Sequence, residues 1–316
     1  MAKPFPQPAT PLPHKKTVYL SPVGYSQLTL MNASLALFIV PFVLLISVLY
    51  IWRWRHTSNN RRSPVNDKLL RAPGEWLMEQ QGNLNEKVSL AIIIILFGPS
   101  IILATATINN NSTSPNYTML VVAYGVICVF ALIWLWCLLD KFSNYKLGLM
   151  GERATGEELN KLMLDGCHVY HDFKKDHGGN IDHVVVAPSG VYCVETKCRR
   201  KSKGLPDRKE HEVVFDGEKL HYPHGSDSFG VDQTIKNSGQ LSQWLSSAVG
   251  EKIYVKGILT FPGWLVTERK MAKNLRVLNP KLIRNYIASQ KEKVLDPKLT
   301  QQIVHQLEQR CRNVEM

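Results

Sequence analysis

Asn180-Ile181-Asp182-His183-Val184-Val185-Val186-Ala187-Pro188-Ser189-Gly190-Val191-Tyr192-Cys193-Val194-Glu195-Thr196-Lys197 is the stretch on which the reading of the fold turns. Two β-branched runs flank a Pro-Ser-Gly turn, the pattern of a tight antiparallel hairpin. Asp182, Glu195 and Lys197 interrupt strands that are otherwise apolar. Charged groups persist in buried strands when they pair with one another or hold a metal. Asp and Glu supply hard oxygen ligands for a divalent cation. Lys197 follows Glu195 by two residues and points to the same side of a strand. There it can orient a water or balance negative charge on a phosphate. The same spacing also suits a solvated half-strand with an ordinary Asp–Lys pair across it.

Register separates two versions of this hairpin. A Ser189-Gly190 loop sets Val184 opposite Glu195 and Asp182 opposite Lys197, so the three ionisable groups share one face. A three-residue Pro188-Ser189-Gly190 loop sets Ala187 opposite Val191 and turns Asp182 away from Glu195 unless a bulge re-aims it. Turn chemistry permits both, because Gly190 suits the left-handed position of a type I turn with a bulge.

Working outward, the chain of 316 residues is long enough for two domains, and its formal charge is +12. Half of that excess, +6, lies in residues 1–139 beside apolar segments, where membrane topology accounts for it. The six cysteines include no C-x-x-C and read as reduced thiols, not as a disulfide framework or a zinc site. Residues 1–27 are proline-rich without periodicity and are expected to be a disordered arm. Residues 28–139 read as a three-span membrane anchor, with spans near 28–52, 88–108 and 119–139. Tyr50, Trp52 and Trp54 lie where an interfacial aromatic belt would be, and residues 88–139 hold no charge at all. An Asn-rich turn, 109–116, separates the second and third spans. With no ionisable group inside any span, the segments read as an anchor and not a transporter. The loop 53–87 holds seven Lys/Arg against four Asp/Glu, which places it on the cytoplasmic side. The expected location is therefore integral to a membrane, a bacterial inner membrane, with the N-terminus outside and the C-terminal domain cytoplasmic.

From residue 140 the pattern is α/β. A helix is expected from Leu147 to Gly166, a strand from Cys167 to Phe173, then the hairpin. A second hairpin follows around Asp216-Gly217, then an amphipathic helix from Val231 to Val249 and a strand from Ile253 to Phe261. The domain is bounded at 140–270, with 271–316 as an extension of one strand and two helices. In the first helix Glu152, Thr155, Leu159 and Met163 form the inward stripe, so Glu152 is preferred to Glu157. In the later helix Gln233, Asn237, Gln240 and Trp244 form one stripe. His168 and His171 would flank opposite faces of their strand, which argues against a shared zinc ion. Arg199, Arg200, Lys201, Lys203, Arg208 and Lys209 form a basic run that could track phosphates or face anionic lipid.

The order helix-Glu, strand-Asp, Glu-x-Lys resembles the PD-(D/E)xK nuclease superfamily. Ile181-Asp182-His183-Val184-Val185-Val186, the Pro-Ser-Gly-Val turn and Val194-Glu195-Thr196-Lys197 are similar, more narrowly, to the nuclease-related (NERD) domain over roughly 147–265. Ile181 stands where the superfamily has proline. The Gly151-Glu152 pair, with Leu159 seven residues on, also fits that family's pattern. The resemblance implies a restriction-endonuclease-like mixed sheet flanked by helices. It implies a membrane-anchored nuclease in which Asp182, Glu195 and Glu152 hold Mg²⁺ or Mn²⁺, with the Thr196 carbonyl as a further ligand. Lys197 would act on the attacking water or the transition state. Gln233, at the family's glutamine, would contact the site or nucleic acid, together with Arg199, Arg200 and Lys201. Expected partners are nucleic acid, DNA ahead of RNA, the lipid bilayer and a second copy of the chain. The competing reading is a non-catalytic, membrane-tethered module that binds nucleic acid or protein.

Overall fold

The computed structural model describes residues 69–108, 117–176, 178–201, 211–290 and 295–312, and five positions between 47 and 54. The expected arm 1–27, most of the expected span 28–52, the turn 109–116 and the basic residues Lys203, Arg208 and Lys209 lie outside them. The chain divides into two compact units, 1–63 with 96–127 and 64–95 with 128–316.

The larger unit is built on strands β1 (His168–Lys174), β2 (Asn180–Ala187) and β3 (Gly190–Thr196). The hairpin adopts neither expected register: Ala187 pairs with Gly190, and Pro188-Ser189 makes the turn. Proline at the first turn position supplies the φ that the turn needs and has no N–H for a ladder to lose. Val184 then pairs with Cys193 and Val186 with Val191. One further step in this register would bring Asp182 opposite Glu195.

Two more strands complete this sheet, in the order β1-β2-β3-β7-β9, where β7 is Val255–Thr260 and β9 is Leu275–Leu278. The first three strands are antiparallel, and β3, β7 and β9 run parallel. Parallel neighbours require a crossover. The chain between β3 and β7 contains β4 (Glu212–Phe215), β5 (Leu220–Tyr222) and β6 (Gly225–Asp227). With β8 (Leu265–Glu268) these form a second sheet, β6-β5-β4-β8. The strands β6 and β8 are three and four residues long, too short to signal themselves by alternation.

Helices cover both faces of the five-stranded sheet. The helices are α1 (Glu75–Ile108), α2 (Tyr117–Asn160), α3 (Phe229–Val249), α4 (Pro280–Ser289) and α5 (Pro297–Arg310), and the cover comes from α3, α4, α5 and the end of α2. On one face Val184, Val186, Val191 and Cys193 pack with Leu241 and Leu245 of α3 and with Ile303 and Leu307 of α5. On the other, Val185, Ala187, Tyr192 and Val194 pack with Leu159, Leu162, Ile283 and Ile287. Every residue of β3 is buried, as a strand covered on both faces should be.

Residues 271–316 are not an appendage. They supply the edge strand β9 and the core residues Ile303 and Leu307, so the domain boundary at 270 is replaced by one that takes in the C-terminal helices. The helix α2 is likewise continuous through the expected junction at residue 140. Among the described residues one helical stretch, Val122–Asp165, is long and apolar enough to cross a membrane by length and composition. The expected span 88–108 is the second half of α1, which begins at Glu75 inside the expected polar loop.

Strict alternation breaks at one place in the sheet. Ile181 and Val184, three residues apart, pack in the same cluster, and so do Tyr170 and Phe173 on the neighbouring strand. Asp172, between those two, has φ +54°, the only non-glycine residue with positive φ among the described residues. Pairing holds on either side, His171–His183 and Phe173–Ile181, and is interrupted at Asp172. A left-handed non-glycine residue costs about 1–3 kcal/mol unless its surroundings fix it. They do: Asp172 Oδ2 accepts from Arg71 Nε at 2.5 Å and from the Trp76 amide at 3.0 Å, and Oδ1 accepts from Asn180 Nδ2 at 2.5 Å. The Arg71 and Asp172 side chains are 1% and 0% exposed. The Arg71 amide also donates to the Cys311 carbonyl at 2.8 Å.

A second buried polar chain crosses the same strands. His171 Nδ1 lies 2.8 Å from His183 Nδ1, and His171 Nε2 lies 3.0 Å from Asn160 Oδ1. Thr196 Oγ1 is 3.4 Å from His183 Nε2. One set of neutral tautomers satisfies all three contacts: Thr196 donates to His183, His183 to His171, and His171 to Asn160. Burial lowers His171 to about 4, and burial together with His171 lowers His183 well below its ordinary value.

Two outcomes follow from these contacts. Arg71→Ala leaves a buried carboxylate unpaired, so the full chain in detergent should lose about 3–5 kcal/mol of unfolding free energy. A loss below about 1 kcal/mol would show that the pair does not tie residues 69–80 to the sheet. For His171, the unfolded state takes up its proton first, so its contribution to stability is lost as pH falls from about 6.5 toward about 4. His171→Gln should flatten the decline in Tm across that interval relative to the parent, and parallel curves would exclude the histidine as the source.

Candidate active site at a strand fork

Past the pair His183–Val194 the strands β2 and β3 separate, while β3 keeps its pairing with β7 through Glu195–Leu259 and Thr196–Thr260. The Asp182 carboxylate fills the opening, its Oδ2 accepting from the Thr196 amide at 2.7 Å. Asp172, the left-handed residue, stands across from Asp182 at the interrupted rung of the β1–β2 ladder.

Glu195 is 1% exposed. Its Oε1 accepts from Gln233 Nε2 at 2.5 Å and from Lys197 Nζ at 2.8 Å, and its Oε2 accepts from Asn237 Nδ2 at 2.9 Å. Lys197 Nζ also donates to Gln233 Oε1 at 2.9 Å. Gln233 and Asn237 reach one carboxylate because four residues bring side chains to the same face of a helix. The first turn of α3 approaches closely because Gly230 has no side chain: a Cβ there would lie 3.3 Å from Leu259 and 3.4 Å from Lys197 Cγ.

Glu152 enters from α2 and is 6% exposed, whereas Glu157 is exposed. The helix approaches the end of β3 at Gly151, where a Cβ would stand 2.6 Å from Cys198 Cβ. Glu152 Oε2 is buried and has no hydrogen-bond partner. Burial, then repulsion from Asp172 and Glu195, pushes its carboxyl up to about 8, and Lys197 opposes the shift. Asp182 is pushed well above its ordinary value by burial, then by Glu195 and Glu152. The structure thus brings Glu152, Asp182, Glu195 and Lys197 within electrostatic reach of one another. Among the described residues, no three His, Cys, Asp or Glu side chains form a ready-made metal cage. The donor set nevertheless suits a hard divalent cation. It consists of carboxylate oxygens, one of them buried without a partner, and their mutual repulsion is opposed by a single lysine.

The basic residues are placed differently from one another. Arg199 lies over the Tyr222 ring at 4.1 Å and pairs with Asp227, and Arg200 donates to Ser143 Oγ at 2.5 Å. Lys201 is exposed. Gln233, expected at the site or on nucleic acid, lies between Glu195 and Lys197. His183 is fully buried within the histidine chain, and His168 is exposed while His171 is buried. Sequence reasoning assigned no role to Asn237, Asp172 or Arg71. Asn237 was legible as the next member of the Gln233 stripe, whereas nothing local marks a residue 101 positions before its partner.

Comparison with curated proteins and with solved structures finds no match. A family model does match: residues 147–262, the segment that carries Glu152, Asp182, Glu195, Lys197 and Gln233, correspond to the nuclease-related domain.

Proposed function

We propose that this protein is a membrane-anchored, metal-dependent nuclease that hydrolyses phosphodiester bonds of nucleic acid on the cytoplasmic side, with DNA the first substrate to try. One observation carries the reading. The Glu152 oxygen is buried and unpartnered among two further buried carboxylates and a lysine, within a nuclease-related segment. Asp182, Glu195 and Glu152 would hold Mg²⁺ or Mn²⁺. When bound, such a cation neutralises charge on a phosphate and acidifies a water. The chain's own part is positional. The Thr196 amide holds Asp182, while Gln233 and Asn237 hold Glu195. Lys197, kept in place by Glu195 and Gln233, presents a positive charge to the attacking water or to the phosphate.

The bonds that occupy both oxygens of Glu195 favour one competing reading, a module that binds nucleic acid or protein without cutting. Cleavage of plasmid, linear DNA and RNA by the full chain with Mg²⁺ or Mn²⁺ separates the two. Asp182→Ala and Glu195→Ala should each slow cleavage by about a hundred- to a thousandfold, since lost Lewis-acid stabilisation amounts to several kcal/mol. Lys197→Ala should lower the rate more than it lowers Mn²⁺ affinity measured by calorimetry. Three variants that cut as fast as the parent would remove the site assignment.

The anchor has its own support. Residues 64–95 and 128–316 form one compact unit, and Arg71 contacts Asp172, which supports a topology with residues 69–87 and the domain on one side of a bilayer. An even number of crossings between them satisfies that requirement, as spans at 88–108 and 119–139 do. The seven Lys/Arg of the loop 53–87 make the shared side cytoplasmic. In intact cells a cysteine placed by Asn111→Cys should react with an impermeant reagent, and one placed by Lys201→Cys should not. Labelling of the second from outside would reverse the topology.

A further inference from the structure

The polar stripe of α3 continues past the carboxylates. Gln233 and Asn237 hold Glu195, and Gln240 and Trp244 extend the same face by two more turns. These last two residues line a cavity of about 400 Å³ with Phe173, Lys175, Lys236 and Gln243. The cavity adjoins the carboxylate site through one bonded path. Lys175 Nζ donates to Asn237 Oδ1 at 3.0 Å, and Asn237 Nδ2 donates to Glu195 Oε2 at 2.9 Å.

The lining specifies a ligand. Two lysines call for an anion, and the carboxylate on the wall, Asp176, is already paired with Arg310. The Trp244 indole and the Phe173 ring, packed edge-to-face with centroids 4.9 Å apart, make an apolar wall. The Gln240 Oε1 oxygen is buried without a hydrogen-bond partner, and a ligand that brings a donor would satisfy it. The phosphodiester of a nucleic-acid strand has none to bring. A nucleobase does, in its exocyclic amine or ring N–H, and it is attached to a phosphate. Gln240 stands roughly 10 Å along the helix from Gln233, a separation on the scale of one or two nucleotides.

We propose that this cavity is a nucleotide subsite, which takes the unstacked base and adjoining phosphate of a residue flanking the bond to be cut in a single-stranded segment. The word "flanking" rests on the nuclease reading, but nucleotide binding does not. A base must leave its stack to enter this half-open cavity, which makes single strands the natural substrate.

The test uses the full chain in detergent with EDTA and a short fluorescein-labelled single-stranded DNA, read by anisotropy. Gln240→Ala should weaken binding by about three- to tenfold, the value of one hydrogen bond. Lys236→Ala, at an exposed position, should reduce the slope of log affinity against log salt by about 0.7. Adenosine monophosphate should compete with the strand where ribose 5-phosphate does not. Mn²⁺ affinity should be unchanged in both variants. Unchanged DNA affinity in both variants, equal competition by the two small phosphates, or a parent chain that binds no single strand would each overturn the subsite. A joint loss of Mn²⁺ and DNA binding would overturn it as a separate site. If the parent cuts nothing yet its DNA binding depends on Gln240, the nuclease reading fails and the subsite stands.

Discussion

Repulsion among Glu152, Asp182 and Glu195 is the constraint around which this domain is arranged. Burial and the neighbouring carboxylates push Glu152 and Asp182 toward the protonated form, and Lys197, joined at Asp182 by the Thr196 amide, opposes the shift. Folding can tolerate this cluster because each charge is tied to a different element. Glu152 arrives on a helix that passes the sheet at a glycine, Asp182 on β2 with its carboxylate held by the Thr196 amide, and Glu195 on a central strand whose carboxylate is bonded from α3. A cluster assembled from three elements can be held under electrostatic stress that no single element would sustain. Such stress is characteristic of sites that bind cations or transfer protons.

The left-handed conformation at Asp172 depends on contacts far from it in sequence. Asp172 adopts a left-handed conformation because Arg71, Asn180 and the Trp76 amide converge on its carboxylate. Arg71 belongs to the short segment before α1, between the expected first and second spans. Residues just before α1 therefore brace β1, the strand beside the one that carries Asp182. The Gly74 turn reinforces this, since a Cβ there would lie 2.4 Å from Leu149 Cδ1 and 3.6 Å from Glu152 Oε2. Residues 71–76 and the α/β domain are thus not separable. A soluble fragment beginning at residue 140 would lack the partner of a buried charge.

Helix α3 connects local chemistry to recognition. Its apolar residues Leu241 and Leu245 lie in the core, while its polar stripe runs from the Glu195 clamp to the cavity beneath Trp244. One rigid element thereby sets the relation between the carboxylates and the place where a neighbouring nucleotide would be held. Precision of that kind is easier to maintain on a helix than on a loop.

Local pattern alone determined a good deal. The valine runs and Pro-Ser-Gly marked the hairpin, because strand alternation and turn chemistry act over a few residues. The inward stripe of the first domain helix separated Glu152 from Glu157, and Gln233 stood out on its helix face. The hairpin register escaped, since two-residue and three-residue loops differ by little energy locally and the choice belongs to packing on both faces of the sheet. The short strands β6 and β8, the inclusion of β9 and α5 in the domain, and the unbroken α2 across residue 140 were likewise decided by tertiary neighbours. So were Arg71 as the partner of Asp172 and the orphaned oxygen of Glu152. A residue type announces what chemistry it can do. Whether its charge is solvated, paired or stranded depends on groups that the chain brings in from a hundred residues away, because desolvation is a property of the folded surroundings and not of the sequence window.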